Sequence, residues 1–268
     1  MDFSSKVVVI TGAGAGIGRS TALAFAALGA CVVVNSRSKT AGQVCGEIAD
    51  QGGTAVFVQA DVATAEGAAR LIQTAAERFG GIDILVNVAG IVASGSVEQC
   101  SEEEWDRSMT TNVKSVFLTS KLALPYLRDR HGVIVNISST VAIKGVANRA
   151  VYSASKGAVL SLSRSMAAEY VREGVRVNCV CPGTIETPSF HDRVSASADP
   201  EKAMEDFIAR QPMGRLGTPE EIAQAILFAA SPDVTFMTGA NIVDVKEVGV
   251  QMILLVEDSI RFYSSVLP

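Results

Sequence analysis

The chain has 268 residues and a mass of 28.0 kDa, a length that suits one α/β domain or two small ones. Hydrophobic residues make up 48% and charged residues 19%, with a mean hydropathy of +0.30, which excludes a disordered or fibrous chain. A net charge of -5 excludes the broad basic footprint of a nucleic-acid binder.

Short apolar, β-branched runs alternate with longer helical patterns. Residues 6–11 read as a strand and 16–29 as a helix; 31–35 as a strand and 40–51 as a helix; 54–59 as a strand and 65–79 as a helix. Residues 82–87 form the fourth strand. Residues 101–128 hold one or two helices, opened by the capping-box pattern of Ser101 and Glu104. A strand at 133–137 precedes a long helix at 151–172, and a strand at 175–181 precedes a loop with short helices to Gln211. A helix at 219–230 and a seventh strand at 240–245 complete the order. The strands are continuously apolar, as strands covered on both faces are, and the alternation predicts a doubly wound parallel sheet with right-handed crossovers. No Pro-, Gly- or Ser-rich linker divides the chain, so residues 1–245 read as one domain and 246–268 as an atypical tail.

No run reaches the roughly 18 apolar residues of a spanning helix. The start, Met1-Asp2-Phe3-Ser4-Ser5-Lys6, lacks the regions of a signal peptide, so a cytoplasmic protein is expected. The cysteines are Cys31, Cys45, Cys100, Cys179 and Cys181, without a C-x-x-C pair, which suits reduced thiols. With only His131 and His191 and no ligand ladder, no metal is expected. The nucleophile elbow G-x-S-x-G and the Walker A loop are both absent.

Thr11-Gly12-Ala13-Gly14-Ala15-Gly16-Ile17-Gly18 follows the first strand and opens the first helix. Glycines there let the backbone turn tightly and approach a pyrophosphate, which the free N–H groups of the helix start can bind. The second strand ends in Val34-Asn35-Ser36-Arg37. An acid here would hold a ribose 2′-hydroxyl; Arg37 instead offers a cationic fork for a 2′-phosphate, which favours NADP, with NAD the alternative. Tyr152 and Lys156 stand four apart on one helix face, where an ammonium can lower the tyrosine pKa towards neutrality. Ser138 and Ser139 end the preceding strand, on the sheet edge where ligands of such folds bind.

Together these motifs resemble the short-chain dehydrogenase/reductase family. The matches are Thr11 to Gly18, Asp61-Val62, Asn87 to Gly90, Asn112 within Thr-Asn-Val, Ser139, the Tyr152/Lys156 pair, and Pro182-Gly183 with Thr187. They span about residues 5–244 in the family's order. The resemblance implies a single-domain Rossmann-type fold of about seven parallel strands with helices on both faces. It implies Tyr152 as the general acid/base, Lys156 as the residue that lowers its pKa and binds the nicotinamide ribose, Ser139 as a hydrogen-bond partner of the substrate oxygen, and Asn112 as the holder of a relay water. Gly12, Ala15, Gly16, Ile17 and Gly18 would cradle the pyrophosphate, with Ser36 and Arg37 at the adenosine ribose and Asp61 and Val62 flanking the adenine. Asn87, Ala89 and Gly90 would line the cofactor cleft, and Pro182, Gly183, Ile185 and Thr187 would cover the nicotinamide.

Residues 144–149 and 179–215 are similar, within this family, to the cytosolic type 2 3-hydroxybutyrate dehydrogenases and bacterial 2-keto-3-deoxy-L-fuconate dehydrogenases. That similarity implies that Arg149, Arg193 and Arg210 surround a substrate carboxylate, alongside Ser139 and Tyr152. Two departures stand out. That group has Asp near position 36 and uses NAD, where this chain has Ser36-Arg37; and the family's V-D-G-G after the seventh strand is here Val243-Asp244-Val245-Lys246. Residues 252–258 resemble the first strand and acidic pair of a response-regulator receiver, and the apolar residues 248–256 are expected to pack against the body or a neighbouring subunit.

The expected activity is NAD(P)-dependent interconversion of a secondary alcohol and a ketone on a small hydroxy acid or sugar acid. The partners expected are that small molecule and a second copy in a homotetramer or homodimer, without nucleic acid or membrane. Two rivals stay open: a catalytically silent nucleotide-binding regulatory protein, and a reductase of a neutral carbonyl substrate. The intact Asn112, Ser139, Tyr152 and Lys156 argue against silence, and the missing Gly-Gly argues for it.

Overall fold

The computed structural model describes residues 1–244, so the tail at 246–268 and the packing expected of 248–256 lie outside the described residues. In chain order the elements are β1 (Val7–Thr11), α1 (Gly16–Ala27), β2 (Cys31–Ser36), α2 (Thr40–Asp50), β3 (Thr54–Gln59), α3 (Ala65–Phe79) and β4 (Ile84–Asn87). Then follow α4 (Glu102–Met109), α5 (Ser115–Asp129), β5 (Val133–Ile137), α6 (Ala150–Tyr170), β6 (Arg176–Pro182), α7 (Pro188–Ser195), α8 (Pro200–Ala209), α9 (Pro219–Ala230) and β7 (Asn241–Asp244). The strands pair in parallel in the order β3-β2-β1-β4-β5-β6-β7.

Two cores explain the unbroken apolar strands. On one face Val8, Ile10, Val32, Val34, Val86 and Val135 pack against α1, α2 and α9. On the other Val9, Val33, Leu85, Ile134 and Val177 pack against α3, α5 and α6. Neighbouring residues thus point to opposite layers, and neither layer admits a polar alternation.

The structure departs from the sequence reading where tertiary bonds intervene. The fourth strand starts at Ile84, because Asp83 acts as a buried strut: its carboxylate accepts from Val7 N–H (2.9 Å) and pairs with Lys6 and Arg130. Helix α1 stops short of Gly29, which turns the chain at a φ of +86°. The stretch 101–128 resolves into α4 and α5, joined by a π-helical turn at Thr110–Lys114. Ser101 Oγ accepts from Glu104 N–H, while among the described helices both halves of a capping box are present at Thr218 and Glu221 of α9. No described helix is long and apolar enough to cross a membrane.

Strand order reverses beside β1, with β2 on one side and β4 on the other. Ligands of open α/β sheets bind outside the carboxyl ends of the strands at such a point. The carboxyl ends of β1, β4, β5 and β6 lead there into the glycine loop, Gly90, Ser139 and Gly183.

Candidate active site

Two cavities of about 710 and 580 Å³ lie along this edge and share Gly12, Ala15, Ala89 and Gly90 in their walls. Gly12 leaves β1 at a φ of +66°, and a Cβ there would come within 2.9 Å of the Ala89 main chain, so the loop needs glycine. Helix α1 begins at this loop without a side-chain cap and without an acid in its first turn. Its first N–H groups therefore suit an anion, which is the fit a dinucleotide requires. The smaller cavity is walled by Ser36, Arg37, Asp61 and Val62. Asn35 also lines it, with its amide donating to the Val58 and Ala60 carbonyls at 3.0 Å each, which ties β2 to the end of β3. Arg37 is exposed at the cavity wall, where it can meet a phosphate.

The larger cavity is lined by Ser139, Tyr152 and Lys156. Burial raises the Tyr152 pKa, while the Ser139 hydroxyl and the charges of Arg193 and Arg149 pull it back. The Lys156 ammonium also has a main-chain partner. Its Nζ donates to the Ile137 carbonyl at 2.8 Å and stands 5.9 Å from the Tyr152 ring centroid, and burial brings its own pKa down to about 8. The cations near Tyr152 that favour its phenolate thus include the two guanidiniums as well as Lys156 over its ring.

Asn112 lies behind the wall at Gly90. A Cβ on Gly90 would come 3.1 Å from Asn112 Oδ1 and 3.4 Å from Lys156 Nζ, a close approach that glycine leaves unhindered. The Asn112 side chain is committed: Oδ1 accepts from Ile91 N–H (2.7 Å), and Nδ2 donates to the Ile91 carbonyl (3.0 Å) and Ser155 Oγ (2.9 Å).

The arginines share this cavity with Tyr152. Arg149 caps α6 and is held by a bridge to Gly95, whose N–H donates to the Asn148 carbonyl at 3.1 Å. Arg193 comes from α7 and Arg210 from the end of α8, two helices packed through Phe190 and Phe207 with centroids 5.1 Å apart. Burial and the Arg210 charge disfavour the protonated form of Arg149; burial does the same to Arg193. Arg193 Nε is buried without a hydrogen-bond partner. Among the described residues lining this cavity there are five cations, Lys144, Arg149, Lys156, Arg193 and Arg210, and no acid.

A family model described as enoyl-(acyl carrier protein) reductase matches residues 12–244. An oxidoreductase of Thermotoga maritima is 48% identical over 244 residues, 90% of this chain and 96% of the relative. A 2-keto-3-deoxy-L-fuconate dehydrogenase of Xanthomonas campestris is 44% identical over 243 residues, 89% of this chain and 79% of the relative. The crystal structure of a dehydrogenase/reductase from Sinorhizobium meliloti aligns with a TM-score of 0.83 at 33% identity, covering 90% of this chain and 94% of that one. The chain belongs to the short-chain dehydrogenase/reductase family.

As a short-chain dehydrogenase/reductase the chain is an oxidoreductase acting on a small molecule with NAD or NADP. The structure gathers Gly12, Ala15, Gly16, Ile17, Gly18, Ala89, Gly90, Ser139, Arg149, Tyr152, Lys156, Pro182, Gly183, Ile185, Thr187, Arg193 and Arg210 around the larger cavity. Asn87 sits differently from the expectation that it lines the cleft. Its amide lies beneath the wall, accepting from Thr119 Oγ1 (2.8 Å) and donating to Asn136 Oδ1 (2.8 Å). It knits β4 to β5 and α5, while its neighbours Val88, Ala89 and Gly90 supply the surface. Sequence reasoning passed over Ser155, though it lies inside the Tyr152-to-Lys156 motif, and Lys144, which follows the short turn after Ser139.

Proposed function

We propose that this enzyme is an NADP-preferring dehydrogenase/reductase that interconverts a secondary alcohol and a ketone on a small molecule bearing a carboxylate. The carrying observation is the wall around Tyr152, acid-free among the described residues, with Arg149, Arg193 and Arg210 lining the cavity and Arg193 Nε buried and unpaired. An unpaired buried guanidinium nitrogen is costly, and a carboxylate relieves that cost with two parallel hydrogen bonds. The Xanthomonas relative named for 2-keto-3-deoxy-L-fuconate, a sugar acid, points the same way. The preference for NADP is supported by exposed Arg37 at the smaller cavity and by Asn35, whose amide is spent on β3.

A bound nicotinamide dinucleotide supplies the hydride donor or acceptor. Tyr152 Oη gives the substrate oxygen a proton in reduction and takes it back in oxidation. Ser139 Oγ, beside Tyr152, hydrogen-bonds the same oxygen and orients it. Arg193 and Arg149 clasp the carboxylate and at the same time favour the phenolate against the effect of burial. Gly90 lets Lys156 in the cleft and Asn112 behind it approach the wall closely.

The experiment is a panel of hydroxy acids, keto acids and sugar acids with their amides, run with NADP and NAD and followed by the absorbance of the reduced nicotinamide. Turnover confined to the acids is the expected result. Equal turnover of acids and amides overturns the carboxylate reading, and a tenfold preference for NAD overturns the cofactor reading.

A further inference from the structure

The buried hydroxyl of Ser155 is used by none of the chemistry above, yet it joins two residues that the reaction needs. Ser155 lies on α6 one turn after Tyr152 and has no exposed surface. Its Oγ donates to the Tyr152 main-chain carbonyl at 2.8 Å and accepts from Asn112 Nδ2 at 2.9 Å. The directions are fixed from the far end. Asn112 Oδ1 accepts from the Ile91 N–H and Nδ2 donates to the Ile91 carbonyl, so a backbone donor and a backbone acceptor hold the amide in one orientation. The second N–H of that amide finds its acceptor in Ser155 Oγ, and the serine proton is left for the Tyr152 carbonyl. A one-way chain therefore runs from the cleft wall at Ile91, through the π-helical turn, into the first turn of α6. Asn112 is 1% exposed, so losing the Ser155 oxygen leaves a buried N–H without a partner.

We propose that Ser155 is a positioning residue for the reaction: it holds the Tyr152 turn of α6 in register with Asn112 and the cleft wall, so that Tyr152 Oη and Ser139 Oγ reach the same substrate oxygen. The proposal rests on the reading of Tyr152 as the acid/base. Two turns further along α6, Ser163 makes the same pair of bonds with a different partner. Its Oγ donates to the Val159 carbonyl (2.7 Å) and accepts from Asn136 Nδ2 (2.9 Å), at 2% exposure. That link ties α6 to β5 and on to Asn87 beneath the cleft wall, without touching the Tyr152 turn. The two serines separate a bond that only holds the fold from one that also aims Tyr152.

The test compares Ser155→Ala and Ser163→Ala, with Tyr152→Phe alongside, on the best substrate of the panel. Both serine variants lose one buried acceptor and are expected to melt earlier than the parent. Only Ser155→Ala is expected to lower kcat, by roughly tenfold or more, with substrate KM and nucleotide Kd within about twofold of the parent. Ser155→Thr, which keeps the hydroxyl, is expected to recover most of that kcat. A parental kcat in Ser155→Ala, or equal losses in the two serine variants, overturns the proposal. Should Ser155→Ala fail to fold, Ser155→Cys, close in size and a weak acceptor, carries the comparison, and a parental kcat there overturns it equally. If Tyr152→Phe keeps its turnover, the acid/base reading falls and takes this proposal with it; if Tyr152→Phe is dead while Ser155→Ala is fully active, only the positioning role falls.

Discussion

Lys156→Met is expected to make the nucleotide-free protein more stable. Burial takes the Lys156 pKa from 10.5 to about 8. At roughly 1.4 kcal/mol per pH unit, holding the ammonium inside costs about 3 kcal/mol near neutrality. The substitution also leaves the Ile137 carbonyl without its 2.8 Å donor, an offset of about 1 kcal/mol. A net gain of about 2 kcal/mol remains, which for a chain of this size raises Tm by roughly 4–8 °C. The pH dependence carries the sign. Below about pH 8 lysine is protonated in the folded and unfolded chain alike, and the burial cost is present in full. Between about 8 and 10.5 the unfolded chain binds more protons, so the parent gains stability with pH and the advantage of the methionine shrinks, by roughly 2 kcal/mol at about pH 9.5. Thermal melts of parent and variant at about pH 7 and 9.5 read both quantities. A variant that melts below the parent at the lower pH, or a difference that does not narrow at the higher, refutes the reasoning.

Four further outcomes follow from the same geometry. Tyr152→Phe should bind nucleotide as the parent does and keep less than about a tenth of kcat, a barrier increase above ~1.4 kcal/mol; single-turnover kinetics showing a larger residue would remove Tyr152 from its role. Arg37→Asp should move the ratio of kcat/KM for NADP over NAD by roughly a hundredfold towards NAD, about 2.7 kcal/mol, since it exchanges a phosphate partner for a ribose partner. Arg193→Met should raise KM for the acid substrate by about tenfold and leave the corresponding amide untouched; equal effects on both would mark the arginine as purely structural. Asp83→Ala should lower the unfolding free energy by about 2–3 kcal/mol in urea titrations, because Val7 N–H loses its buried acceptor and two half-exposed cations lose their partner; a change under ~1 kcal/mol speaks against the strut.

The sheet was legible in the sequence because Val8 and Ile10 face one helical layer and Val9 the other, which leaves no room for polar alternation. The cleft was legible because the glycine loop must follow β1 directly, so its motif and its position are the same information. Less readable were side chains whose partners are distant in the chain. The Asn87 motif marks a residue of consequence but not its direction, which depends on Thr119 and Asn136. The π-helical turn has no periodicity of its own, since bonds from Asn112 to Ile91 and Ser155 hold it. The pull of Arg193 on Tyr152 depends on α7 folding back over the cavity, which no spacing between the two residues encodes.

The wide turn at Thr110–Lys114 makes chain length, rather than side-chain identity, the fragile variable of this region. It accommodates one residue more than an α-helical path would, and removing that residue restores the ordinary ladder. Because the turn takes up that residue within itself, the repaired helix would keep α4 near its present bearing on α5 while the side chains of 110–114 change direction. Asn112 would leave the line from Ile91 to Ser155, although every amino acid of the site would still be present. The outward side of the segment can accept exchange of Trp105 or Phe117, both about half exposed, with little consequence for the interior. A single-codon deletion in the same stretch would disarm the enzyme with no catalytic side chain altered.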